Sequence, residues 1–118
     1  MAYDAVLVRR IERLLRRRRS VTQKEMFGGI CFLVNGNMCC GVERDKLVVR
    51  VGPEQYEKLL QRRHVKLMDF TGRPLRGFIY VMPEGLSGQE ALKSWLEWGI
   101  RYAGSLPAKL SGTTRLGQ

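Results

Sequence analysis

Cysteine, histidine and clustered arginine carry most of the chemistry this 118-residue chain can offer. Cys31, Cys39 and Cys40 fall within ten residues of one another, just after the pair Gly28-Gly29, and His64 is the sole histidine. A phosphate loop would need G-x-x-x-x-G-K-[ST], and a dinucleotide loop G-x-G-x-x-G between a strand and a helix. Gly28-Gly29 fits neither and precedes a strand-like run, so it reads as a turn or bulge where backbone approaches backbone closely. A zinc site needs four ligands, and one histidine with no paired C-x-x-C does not supply them. A nucleophilic cysteine or serine needs a base and an orienting group, and His64 stands in the polar stretch Gln-Arg-Arg-His. Glu54, Glu57, Asp69 and Glu84 sit on a short polar helix or beside turns. No catalytic set, metal site or cofactor site is expected.

The cysteines must be placed on a hairpin to be judged. Asn35-Gly36 is the dipeptide that most easily takes φ > 0 in a type I′ turn. A plain two-residue loop there pairs Val34 with Asn37, Phe32 with Cys39 and Cys31 with Cys40. Cys31 and Cys40 then form a cross-strand thiol pair, a candidate for redox sensing. In a reducing cytosol, buried structural thiols are the plainer reading. The same register gives the hairpin two apolar faces: Cys31, Leu33, Met38 and Cys40 on one, Ile30, Phe32, Val34 and Cys39 on the other. Helices can dry one face. A symmetric partner is the commonest cover for the second, so a homodimer is expected, with Ile30, Phe32, Val34 and Cys39 as the candidate dimer or partner surface. A large unlike protein partner is the competing account.

Charge supplies another lead. The net charge is +10, and the first 25 residues hold eight Lys/Arg against three Asp/Glu, half of that total. Over residues 3–18, Leu7, Val8, Ile11, Leu14 and Leu15 fall on one helical arc, with arginines on the other. Arg9, Arg10, Arg13, Arg16 and Arg17, with Arg19 close behind, are candidate nucleic-acid contacts of weak, sequence-tolerant and salt-sensitive type. A solvated helix face that maintains solubility is the alternative. No aromatic residues interleave with these arginines to offer stacking platforms.

The remaining elements follow from periodicity and punctuation. Strands are expected over 30–34, 37–42 and 47–51. Gly52-Pro53 then opens a short helix to about residue 61, and two further strands over 64–68 and 77–82 are joined through a loop in which Phe70 plugs the turn. Ser87 and Glu90 have capping-box spacing before a last helix that ends near residue 105. Trp95 lies on the packed stripe of that helix and Trp98 off it. The order α-β-β-β-α-β-β-α, with strands grouped between helices, predicts a two-layer α+β domain with a mostly antiparallel sheet. One domain over residues 1–109 and a mobile tail over 110–118 are expected. No apolar run reaches the length of a membrane span and no secretory signal is evident, which makes the cytoplasm the expected compartment.

Several short blocks occur together in a telling order: Met-Phe-Gly-Gly at 26–29, Asn-Gly-Asn-Met at 35–38, Gly41-Val42, Arg-Val-Gly-Pro at 50–53, Met-Asp-Phe-Thr-Gly-Arg-Pro at 68–74, and Gly77-Phe78. With Trp95, Leu106-Pro107 and Lys109, the chain resembles the TfoX/Sxy N-terminal domain over roughly residues 3–109. The resemblance implies a small α+β fold similar to that of type III secretion chaperones, a bacterial origin and an association with regulation of competence genes. It brings no catalytic residue and no cofactor. Longer members carry a helical C-terminal domain; this chain ends at Gln118 and is read as a stand-alone copy. The function expected is a non-enzymatic, dimeric interaction module with a regulatory role.

Overall fold

The computed structural model describes residues 3–26, 28–69 and 72–109. The expected mobile tail over 110–118 and the expected plug Phe70 lie outside the described residues.

The first helix, α1, runs over Ala5–Leu15 and starts where Asp4 caps it, Oδ1 accepting from the backbone N–H groups of Val6 and Leu7 at 2.9 and 3.1 Å. That side chain satisfies two donors that the first turn leaves without partners. Leu7, Val8, Ile11 and Leu15 are buried, as the apolar arc requires. The helix stops at Leu15, so Arg17, Arg18 and Arg19 leave the helix in the turn that follows.

Six strands form one sheet, antiparallel at every pairing, in the order β1-β2-β3-β4-β6-β5. The strands β2 (Gly29–Val34), β3 (Asn37–Glu43) and β4 (Lys46–Arg50) make the expected meander, followed by helix α2 (Pro53–Leu60). β5 (Val65–Asp69) and β6 (Pro74–Val81) form the second hairpin, a 3₁₀ turn spans Pro83–Leu86, and α3 covers Gln89–Gly104. Asn35 and Gly36 both take positive φ, 53° and 83°, as the tight turn demands. The α+β class and the anticipated succession of elements are therefore present.

One strand is additional. β1 (Val21–Met26) pairs with β2 along its whole length and forms one edge of the sheet. Its residues Val-Thr-Gln-Lys-Glu-Met show no apolar alternation, because the four central positions are all exposed. An edge strand carrying charge is a common protection against unwanted pairing, and it hides the strand from a hydrophobic pattern.

The last helix also starts differently. Ser87 has helical dihedrals, φ −67° and ψ −31°, as the end of the 3₁₀ turn, whereas Gly88 is extended and occupies the N-cap. A capping side chain must project from a non-helical residue, so the Ser87–Glu90 capping box does not form. Arg10 braces this junction from α1: its guanidinium donates to the carbonyls of Leu86 (2.7 Å) and Gly88 (3.4 Å) and to Gln89 Oε1 (2.9 Å).

All three helices contribute to one apolar core on one face of the sheet. Ile11, Leu59, Leu92 and Leu96 are buried to 1 % or less and meet Phe32, Val49, Ile79 and Val81. Each such side chain contributes about 1.5–3 kcal/mol on burial, which makes this layer the main source of stability.

Candidate functional site

The hairpin register departs from a plain ladder at one place. Val34 pairs with Asn37 and Leu33 with Met38, but Phe32 then faces Cys40, leaving Cys39 as the extra residue of a β-bulge. Cys31 faces Gly41, so the Cys31–Cys40 thiol pair expected from an unbroken ladder is not a register pair. The bulge puts Cys39 and Cys40 together in the helix-facing core, both fully buried, and leaves Cys31 on the other face. The three thiols are free. Cys40 is raised well above the ordinary thiol value, first by its hydrogen bond with the Cys39 side chain and then by burial. Burial raises Cys31 too, against the pull of nearby Lys24. These shifts disfavour thiolate, the reverse of what an activated cysteine needs. His64 stands at the turn before β5, where its carbonyl accepts from the N–H of Met82 and its side chain lies against Gly85.

Burial shows which face the helices cover. Ile30, Phe32, Val34 and Cys39, expected as a partner surface, are 6, 1, 5 and 0 % exposed and lie in the core with the chain's own helices. They are not available to a partner. The physical reason is alternation along β2, which turns Ile30, Phe32 and Val34 toward the helices, while the bulge adds Cys40 to that side and thins the apolar content of the other.

That other face is built from register pairs. One row crosses all six strands: Lys24, Cys31, Gly41, Val48, Tyr80 and Lys66. Small residues occupy its middle and longer ones its flanks, which makes a trough with Cys31 and Val48 at the floor, 9 and 4 % exposed. Leu33 and Met38 form a neighbouring cross-strand pair, half-buried, with the Met38 methyl group folded toward Gly41. Toward β6 the character changes. Arg50 faces Phe78, its guanidinium 5.5 Å from that ring's centre and 5.3 Å from that of Tyr102. Lys46 lies 5.1 Å over the Tyr80 ring. The Tyr80 hydroxyl donates to Glu43, and burial together with that bond raises the phenol well above its ordinary value. The open face thus has an apolar strip on β2–β3 and a cationic, aromatic half on β4–β6–β5.

The arginines are scattered by comparison. Arg9, Arg13, Arg16, Arg17 and Arg19 are exposed, whereas Arg10 is half-buried and committed to the Leu86–Gln89 junction. Arg18 approaches Glu97 only at 4.0 Å, both side chains being well exposed, a pairing of little energetic weight. An open groove of about 400 Å³ between α1 and β1 is lined by Glu12, Arg16, Arg18, Thr22 and Gln23, with Glu12 accepting from Gln23 at 3.0 Å. Among the described residues no three His, Cys, Asp or Glu side chains gather as metal ligands, and no helix is long and apolar enough to cross a membrane.

A sheet with one side packed under helices and, among the described residues, the other side outside that core defines a class of two-layer α+β domains. Residues 13–103 match the family model described as TfoX N-terminal domain, most of the chain, and the protein belongs to that family. A search of curated proteins and of solved structures found no match. The family match begins at Arg13 and so leaves out the first two turns of α1, including Arg9 and Arg10.

Proposed function

We propose that this chain is a non-enzymatic interaction module of regulatory character, in keeping with a family tied to competence regulation, and that it self-associates through the apolar strip of its open sheet face. The supporting observation is the pairing of Leu33 with Met38 beside Cys31, on the sheet face opposite the helix-packed core. Apolar side chains on an uncovered antiparallel face gain by burial against a like surface, and a two-fold axis lets one strip meet itself. Sedimentation equilibrium at tens of micromolar tests the dimer: the wild type fits a dimer, and Leu33→Lys fits a folded monomer. A wild-type monomer throughout that range removes self-association from the proposal.

A second reading has its own support. Arg9, Arg13, Arg16 and Arg17 are exposed, and among the described residues none has a carboxylate within 4 Å. Such a surface suits phosphate contacts of the sequence-tolerant kind. A gel shift on generic DNA and RNA at two salt concentrations tests it; no shift even at low salt ends it.

A further inference from the structure

We infer that the β4–β6–β5 half of the open sheet face binds single-stranded nucleic acid, with Phe78 and Tyr80 as base-stacking platforms and neighbouring cations as phosphate contacts. This surface is distinct from the α1 arginines and does not depend on them.

The sequence hides the platform because its parts lie far apart in the chain. Phe78 and Tyr80 are two apart on β6 and therefore project to the same face, about 6.7 Å from one another along the strand. Register brings Arg50 beside Phe78, and Val48 and Lys66 to either side of Tyr80. Lys46 reaches over Tyr80 from β4, and Arg44 is close enough to influence the same phenol. Each ring thus has a cation beside it, while the floor between the rings and the hairpin is kept low by Val48 and Gly41. Two acids face the same region. Glu43 already accepts from the Tyr80 hydroxyl, and Asp69 is exposed at the rim. Four cations against two acids, on a chain of net charge +10, make the surface complementary to a polyanion.

The occupant follows from the chemistry. Aromatic rings lying on an exposed sheet accept unpaired bases, as in sheet-based single-strand binders, while a duplex presents no free base face to them. In the free protein the Arg50 and Lys46 head groups rest on the rings; a bound strand draws them to phosphates and takes their place on the π faces. Neither ring is among the side chains of the helix-facing core, and both are half-exposed with a cation as their neighbour. The ring faces do not distinguish DNA from RNA.

Fluorescence anisotropy on the full chain, with labelled oligo-dT, oligo-U and a DNA duplex of equal length, tests this. Both single strands should bind more tightly than the duplex, with a log–log salt slope of about −3 for four phosphate contacts. Phe78→Ala should weaken binding about 10-fold or more, Tyr80→Phe should leave it within about 2-fold, and Lys46→Gln with Lys66→Gln should flatten the salt slope. The control variant Arg13→Gln/Arg16→Gln/Arg17→Gln should retain single-strand binding. Ultraviolet cross-linking of the wild type to oligo-dT, read by peptide mass, needs no substitution and should mark β6. Binding of duplex as tight as single strand, loss of binding only in the α1 variant, cross-links confined to α1, or no binding at low salt would each overturn the inference. None of these variants touches Leu33 or Met38, so the oligomeric state is decided separately.

Discussion

Replacing Gly99 by alanine sets two physical effects against each other and lets the structure decide. Gly99 lies inside α3, where alanine is the better helix former by about 1 kcal/mol. Helix propensity alone therefore predicts a stabler protein. The structure predicts the opposite. A β-carbon at position 99 would stand 2.5 Å from the carbonyl oxygen of Cys39 and 3.2 Å from its sulfur. The first of these is backbone in a bulge whose chain neighbours Met38 and Cys40 are paired with β2, so it cannot swing away as a side-chain tip could. Seating the methyl means lifting α3 off the sheet or flattening the bulge, at the cost of overpacking, about 1–3 kcal/mol. After the propensity gain, the net is a loss of up to about 2 kcal/mol, or a fall in Tm of up to about 10 °C for a domain of this size, and the deficit relative to an unobstructed glycine-to-alanine change is the full overpacking cost. Gly104, the last residue of the same helix, supplies the control, since a β-carbon there meets nothing within 4 Å. Gly104→Ala should be neutral or raise Tm slightly. Thermal unfolding followed by circular dichroism on both variants reads the difference. A Gly99→Ala protein as stable as Gly104→Ala would refute the claim that α3 is seated on the Cys39 bulge.

Arg10→Gln should cost about 1–3 kcal/mol, because it strips the guanidinium bonds to the Leu86 and Gly88 carbonyls, whereas Arg13→Gln should stay within about 0.5 kcal/mol; urea midpoints of the two variants compare them. Thiol labelling with iodoacetamide at pH 7.5 should be slow at Cys31 and Cys40 in the folded protein and fast in urea, and equal rates in both would contradict the burial assigned to them. Since the folded state raises both thiols, it holds their protons past the ordinary value of 9.0. Their contribution to stability is then whole below pH 9 and declines as pH rises toward the folded values, so unfolding free energy measured under reducing conditions should fall across that interval.

The α1 stripe, the Asn35-Gly36 turn and the helix opened by Pro53 were all legible because each is written in adjacent residues: a 3.6-residue period, a turn dipeptide, a helix-starting proline. β1 was not. Thr22, Gln23, Lys24 and Glu25 are exposed at a sheet edge, and such a strand leaves no apolar trace. The bulge at Cys39 was hidden for a different reason. Nothing in Met-Cys-Cys-Gly announces an extra residue, and that one residue took Cys40 from the open side and set it with Ile30, Phe32, Val34 and Cys39 under the helices. Arg10 illustrates the same gap: on the helical wheel it is one more cation, but its acceptors lie more than seventy residues along the chain. The aromatic half of the open face was invisible too, since Arg50, Phe78, Tyr80 and Lys66 meet only through strand order.

Hydroxyl-radical footprinting across protein concentration addresses the strip itself. If two copies meet there, modification of Leu33 and Met38 falls as concentration rises through the micromolar range, while Val6 and Leu67, 57 and 47 % exposed elsewhere on the molecule, stay constant. Constant modification of Leu33 and Met38 at every concentration would contradict the account.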